Sequence, residues 1–219
     1  MTRVIYLVLK DINNLLLINS PYIKWPSKWP ELIQFAGNCS HDIKITKVSW
    51  FKPPTNVVKI NSDGSALDNP GKIGAGGIVR DAQGDLIYAY ATPLGHGTNN
   101  QADIEAAQWG LSWCLNNGFN QVIFEEDSVL VVHWIKQEVA PPWNLQHTVA
   151  NLKRTCDQFQ SFSCNHTFRE TNFMADVLSK TSHNSEVPQH YFHVHQLPKK
   201  LEDTICWTRE KCQILEEER

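Results

Sequence analysis

The sequence predicts an α/β fold built on a five-stranded mixed sheet, three antiparallel strands followed by parallel ones, flanked by helices. Three observations carry this expectation. Residues 57–91 contain three strand-like runs joined by short turns, the pattern of a meander. Beyond residue 100, helical periods alternate with short apolar runs, and a strand reached through a helix pairs in parallel. The length of 219 residues, with 42% hydrophobic and 20% charged content, suits one domain with flanking extensions and excludes disorder throughout.

Each element has its own signal. Val58, Ile60 and Ser62 alternate with Lys59, Asn61 and Asp63, as a half-buried strand requires. Gly74–Arg80 reads as a second strand and Leu86–Ala91 as a third, with a turn at Asp81-Ala82-Gln83-Gly84-Asp85. A helix over 101–116 follows from the stripe Ile104, Ala107, Leu111, Cys114 and Leu115. Its start fits an asparagine cap, and Asn116-Asn117-Gly118 stops it. Val122–Glu125 is a short apolar strand. Helices are expected at 128–137 and 144–160 around Pro141-Pro142, a fifth strand at 162–168, and a last helix at 172–180.

The flanks read differently. Residues 1–55 form an N-terminal arm and linker with the near-repeat Lys24-Trp25-Pro26 and Lys28-Trp29-Pro30, a helix expected at 4–17, and Pro53-Pro54 at its close. Residues 56–181 are the domain, and 182–219 a C-terminal tail ending in Glu216-Glu217-Glu218. The apolar run Val4–Leu9 is too short for a membrane span and a poor signal peptide, so no membrane partner is expected. Six cysteines without C-x-x-C spacing point to unpaired thiols and a reducing compartment, nucleus or cytoplasm. A net charge of −3 offers no general attraction for nucleic acid, so any such binding rests on local groups and on metal cations.

Four carboxylates stand in pointed settings. Asp63-Gly64-Ser65 ends the first strand, ahead of Asn69-Pro70-Gly71; Asp103 follows Thr98-Asn99-Asn100. Asp127 lies in Glu125-Glu126-Asp127-Ser128, and Asp176 follows Arg169-Glu170-Thr171-Asn172. Each has a plain local reading as a turn residue, a first-turn helix acid, an N-cap or a solvated face. Acids on separate elements that meet in space are what two Mg²⁺ ions need to hold a phosphodiester for hydrolysis. Hard oxygen ligands select Mg²⁺ or Mn²⁺, and the lack of a Cys/His cluster argues against zinc.

In these four segments the chain resembles type 1 ribonuclease H, most of all the plant ribonuclease H-like domains of retroelement-derived, reverse-transcriptase-like proteins. The resemblance covers residues 56–181 in order. It implies the ribonuclease H-like fold and cleavage of the RNA strand of RNA–DNA hybrids, by a monomer with two metal ions. Asp63, Asp103, Asp127 and Asp176 then become catalytic and metal-binding, with Asp63 bridging both ions. Substrate contacts fall to Asn69, Asn99, Asn100 and Asn172, and to the turn amides of Gly64 and Ser65.

One position departs from the family. Asp103 stands where the family carries Glu, one methylene shorter. The expectation is a weakened, Mn²⁺-favouring site rather than an abolished one, with a nucleic-acid-binding module of little or no activity as the alternative. Glu105 is no substitute, lying about 200° round the helix from Asp103. The family's loop histidine has no clear counterpart: His166 alternates with Cys164 and Phe168 as on a strand. Between residues 118 and 145 the only Lys or Arg is Lys136, so hybrid affinity is expected to be modest and salt-sensitive.

Overall fold

Alternation along residues 58–97 builds the centre of the sheet. The protein is described by a computed structural model covering residues 45–201 and 214–217, together with residues 28, 31 and 34. The expected helix at 4–17, Trp25, Trp29, Cys39, Cys206 and Cys212 lie outside the described residues. The strands begin with β1 (Ile45–Val48), β2 (Val58–Ala66), β3 (Gly71–Arg80) and β4 (Leu86–Gly97). Helix α1 (Asn99–Asn116) leads to β5 (Gln121–Glu126), α2 (Val129–Ile135), α3 (Gln146–Cys156), β6 (Ser161–His166) and α4 (Phe173–Thr181). Last come β7 (Gln189–Tyr191) and β8 (Ile214–Glu217), which pairs with β1 in a separate small sheet.

The main sheet has the order β6-β5-β2-β3-β4-β7. β2, β3 and β4 form the expected antiparallel meander, and β5 and β6 add in parallel on the β2 side. The fold is thus α/β with a mixed sheet, as expected, but the sheet has six strands where five were expected. The sixth is β7, which comes from the segment read as tail and pairs with the outer edge of β4. Leu197 and Leu201 beyond it are buried as well.

Period-two alternation divides the core between the two sheet faces. Ile60, Ala75, Val79, Tyr88, Tyr90 and Phe124 pack with α1, α2 and α3. Ile78, Ala89 and Ala91 instead meet Met174 and Leu178 of α4, with Tyr191 of β7. A Cβ on Gly76 would lie 2.0 Å from the Ser179 nitrogen, so the small residues of β3 let α4 lie directly on the sheet. Cys114, Cys156 and Cys164 are free and buried, with thiols pushed up to about 12 by desolvation.

The cap of α1 differs from the expected asparagine. Thr98 is the N-cap, its hydroxyl accepting from Gln101 N–H at 3.4 Å, which places Asn99 and Asn100 in the first turn. Trp50, grouped in sequence with the arm, is buried against the domain. The Arg80 guanidinium stacks on its ring at 3.5 Å, and both side chains donate to Asn61 Oδ1. Lys59 lies alongside, paired with Glu125 at 2.5 Å and donating to the Phe51 carbonyl. Among the described residues no helix is long and apolar enough to cross a membrane.

Candidate active site

Two parallel strands present the site. β2 and β5 run in the register Ser62↔Glu126, so the next residue of each, Asp63 and Asp127, emerges beside the other. The crevice outside the carboxyl ends of parallel strands is where open α/β sheets bind ligands. Here it is a cleft of about 340 Å³, whose lining includes Asp63, Gly64, Asn99, Asn100, Asp103 and Asp127.

Asp103 arrives from α1 by a close approach. A Cβ on Gly64 would fall 2.2 Å from the Asp103 nitrogen and 2.3 Å from the Ala102 carbonyl carbon, a space only glycine leaves open. The Gly64 N–H donates to Asp103 Oδ1 at 3.1 Å. The short acid therefore reaches β2 because the helix backbone is pressed against it. Glu105, as expected, is directed away, accepting from Gln101 at 2.8 Å.

From the opposite face α4 supplies polar support. Ser179 Oγ donates to Asp63 Oδ2 at 2.5 Å. Asp176 sits between two cations, accepting from Arg169 at 2.7 Å and from Lys180 at 2.6 Å. Asn172 is 0% exposed and donates to the Ser62 carbonyl at 2.8 Å and to Asp127 Oδ1 at 3.2 Å.

The electrostatics split these acids into two kinds. Burial, followed by the charges of Asp127, Asp103 and Asp176, pushes Asp63 up to about 8, against the bond from Ser179. Burial and Asp127 push Asp103 up to about 7, against bonds from the Gly64 N–H and Ser128. Asp176 goes the other way: burial would raise it, but Lys180 and Arg169 together outweigh that and hold it below the usual carboxylate range. Among the described residues no cation pairs with Asp63, Asp103 or Asp127.

One participant was not anticipated. Glu126 is 0% exposed, its Oε2 accepts from Ser62 Oγ at 2.6 Å, and its Oε1 has no hydrogen-bond partner. Oxygens of Asp63, Glu126 and Asp127 all lie within 4.8 Å of one another. Burial, then Asp103 and Asp63, raise the Glu126 carboxyl well above its ordinary value. The sequence held the signal, since Val122, Phe124 and Glu126 share one side of an alternating strand and two of the three are plainly core. An all-oxygen donor set with an unsatisfied buried oxygen fits a hard divalent cation such as Mg²⁺ or Mn²⁺.

The residues expected to touch substrate separate by position. Gly64, Ser65, Asn99 and Asn100 line the cleft. Asn69 is exposed beside it, its Oδ1 accepting from the Asn99 N–H at 3.1 Å. Asn172 lies beneath the cleft: its amide is buried, Nδ2 donates to the Ser62 carbonyl and to Asp127 Oδ1, and Oδ1 has no hydrogen-bond partner. His166 closes β6 with an exposed ring packed edge-on to Phe168.

Residues 61–182 match the family described as reverse transcriptase-like, and the chain belongs to that family. Its fold is that of ribonuclease H. Among curated proteins it is similar to one of Arabidopsis thaliana named "Putative ribonuclease H protein", 27% identical over 180 residues, 78% of this chain and 28% of that one. It is similar also to ribonuclease HI of Halobacterium salinarum, 27% identical over 122 residues, 53% of this chain and 59% of that one. The chain thus spans less than two thirds of either relative. Among solved structures, RNase H1 of Halobacterium salinarum superposes with a TM-score of 0.57 at 25% identity, covering 58% of this chain and 98% of that one. LC11-RNase H1, isolated from compost and crystallised in complex with an RNA/DNA hybrid, gives 0.53 at 26% identity, covering 57% and 95%.

Proposed function

We propose that this chain is a metal-dependent endonuclease that hydrolyses the RNA strand of RNA–DNA hybrids, using two Mg²⁺ or Mn²⁺ ions. The observation that carries this reading is the meeting of Asp63, Asp103 and Asp127, without a cationic partner, at one polar cleft outside parallel strand ends. Unpaired buried carboxylates are costly unless a cation or a proton neutralises them. Similarity to ribonuclease HI, and to an RNase H1 crystallised with an RNA/DNA hybrid, supports the choice of substrate.

The residues divide the work. Asp63, Asp103, Asp127 and Asp176 hold the ions, and Ser179 and Asn172 fix the rotamers of Asp63 and Asp127. When bound, the ions supply positive charge at the scissile phosphate and lower the pKa of the attacking water. The amides of Asn99 and Asn100 face the cleft, where they are suited to the minor-groove edge and its 2′-hydroxyls. The backbone at Gly64 and Ser65 approaches a phosphate without steric obstruction. Arg169 and Lys180, exposed beyond Asp176, add positive charge at the rim for the nucleic-acid backbone.

The test is cleavage of an end-labelled RNA–DNA hybrid in Mg²⁺ and in Mn²⁺. Parent protein is expected to release products ending in 3′-hydroxyls, with Mn²⁺ the better ion, and Asp63→Asn to be inactive. Cleavage by Asp63→Asn equal to that of the parent would overturn the assignment. A second reading, a binding module with little activity, is favoured by Asp103: its oxygens are not among those that converge within 4.8 Å. Hybrid binding without cleavage in either metal would establish it.

A further inference from the structure

Asp103 leaves one side of this site short, and the structure brings a longer acid to the same side. Ser62 and Gly64 point to one face of β2, the face on which Asp103 is received. Glu126 is the register partner of Ser62 and is hydrogen-bonded to it, so its carboxylate enters from that face as well. Its side chain carries the methylene that Asp103 lacks. One of its oxygens lies in the close group with Asp63 and Asp127, to which Asp103 contributes none.

The surroundings of Glu126 explain little of it as a core residue. Ser62 satisfies Oε2, while Oε1 is buried without a hydrogen-bond partner. The nearest candidate cation on the strand pair, Lys59, is spent on Glu125 and on the Phe51 carbonyl. A fully buried carboxyl with an open acceptor, and with an oxygen within 4.8 Å of those of two other carboxylates, is placed for a cation between them.

We propose that Glu126 is a direct metal ligand of this site, adding to Asp63 and Asp127 a third close carboxylate oxygen where those of the shorter Asp103 lie outside the close group. This rests on the reading of the cleft as a divalent-metal site. Asp103, which lines the cleft, also holds the Gly64 N–H and with it the β2–α1 contact. The short second acid is thereby accommodated by the neighbouring strand.

The test is Mn²⁺ binding to the full chain, followed by the EPR signal of free Mn²⁺ and by the Mn²⁺-induced rise in Tm. Glu126→Gln keeps the shape and the Ser62 contact, and is expected to weaken Mn²⁺ at least about 10-fold and to suppress most of the Tm rise. Asp103→Asn is expected to weaken it less, and Asp63→Asn more. Adding Asp103→Glu to Glu126→Gln is expected to recover affinity, because the long acid returns on the same face. Should Glu126→Gln fail to fold, Glu126→Asp withdraws the charge by one methylene and is expected to show the same loss. Parent-like Mn²⁺ affinity and Tm rise in Glu126→Gln, beside a loss in Asp63→Asn, would overturn the assignment and leave Glu126 a protonated core residue. Parent-like binding in Asp63→Asn as well would overturn the metal site itself.

Discussion

Gly64→Ala probes the contact on which the site depends. The added carbon would sit 2.2 Å from the Asp103 nitrogen, where ordinary contact begins near 3.4 Å, so α1 must retreat by about 1.2 Å. The obstacle is helix backbone, which cannot turn aside as a side chain would. Forcing extra volume into a packed interface costs about 1–3 kcal/mol, and the upper half of that range is expected because the Gly64–Asp103 hydrogen bond is lost too. Misplacing a reacting constellation by about 1 Å costs about 10²-fold in rate. Urea unfolding reads the first quantity, and initial rates of hybrid cleavage in Mn²⁺ read the second. A variant that unfolds within about 0.5 kcal/mol of the parent, a change typical of an exposed site, would refute the reasoning, since the clash would have been absorbed without moving the helix.

Two further outcomes follow from the same geometry. Asp63 and Asp103 hold their protons up to about 8 and 7, whereas in the unfolded chain they release them near 3.8. The unfolded state therefore binds fewer protons across that window, and metal-free stability falls as pH rises from about 4 to about 8. Melts in EDTA should show Tm declining over this range and Mg²⁺ restoring it at pH 8; a flat or rising profile would contradict the shared burial. Asp176, shifted down, contributes the opposite slope only in acid, below the ordinary carboxylate value. Asn172→Ala removes the donor to the Ser62 carbonyl and to Asp127, and should cost about 1–3 kcal/mol in urea unfolding together with a loss of kcat. Unchanged stability with raised KM would instead assign Asn172 to substrate.

The meander was legible because residues such as Ile60 and Ile78 alternate with partners on the other face, and each face has its own helix to bury it. Helix α1 was legible for the same reason, with its stripe falling on the core. β7 was not, because three residues, Gln189-His190-Tyr191, are too few to show a period. They become a strand only because β4 presents a free edge at Ala89–Ala91 to pair with. In the site, acids that begin turns or follow strands stood out, while Glu126 was hidden by its neighbour Asp127. Ser179 gave no signal at all, since a serine on a helix declares its partner only when the helix is docked.

The stacking of Trp50 on Arg80 has a practical consequence. The family match begins at residue 61, yet Trp50 and Phe51 are already engaged with Arg80, Asn61 and Lys59. A fragment trimmed to the family boundary would strip the aromatic cover from a buried guanidinium and, by removing Lys59, would take the cation from Glu125. The smallest piece worth expressing therefore starts upstream of Trp50, and the edge of shared ancestry is not the edge of cooperative unfolding.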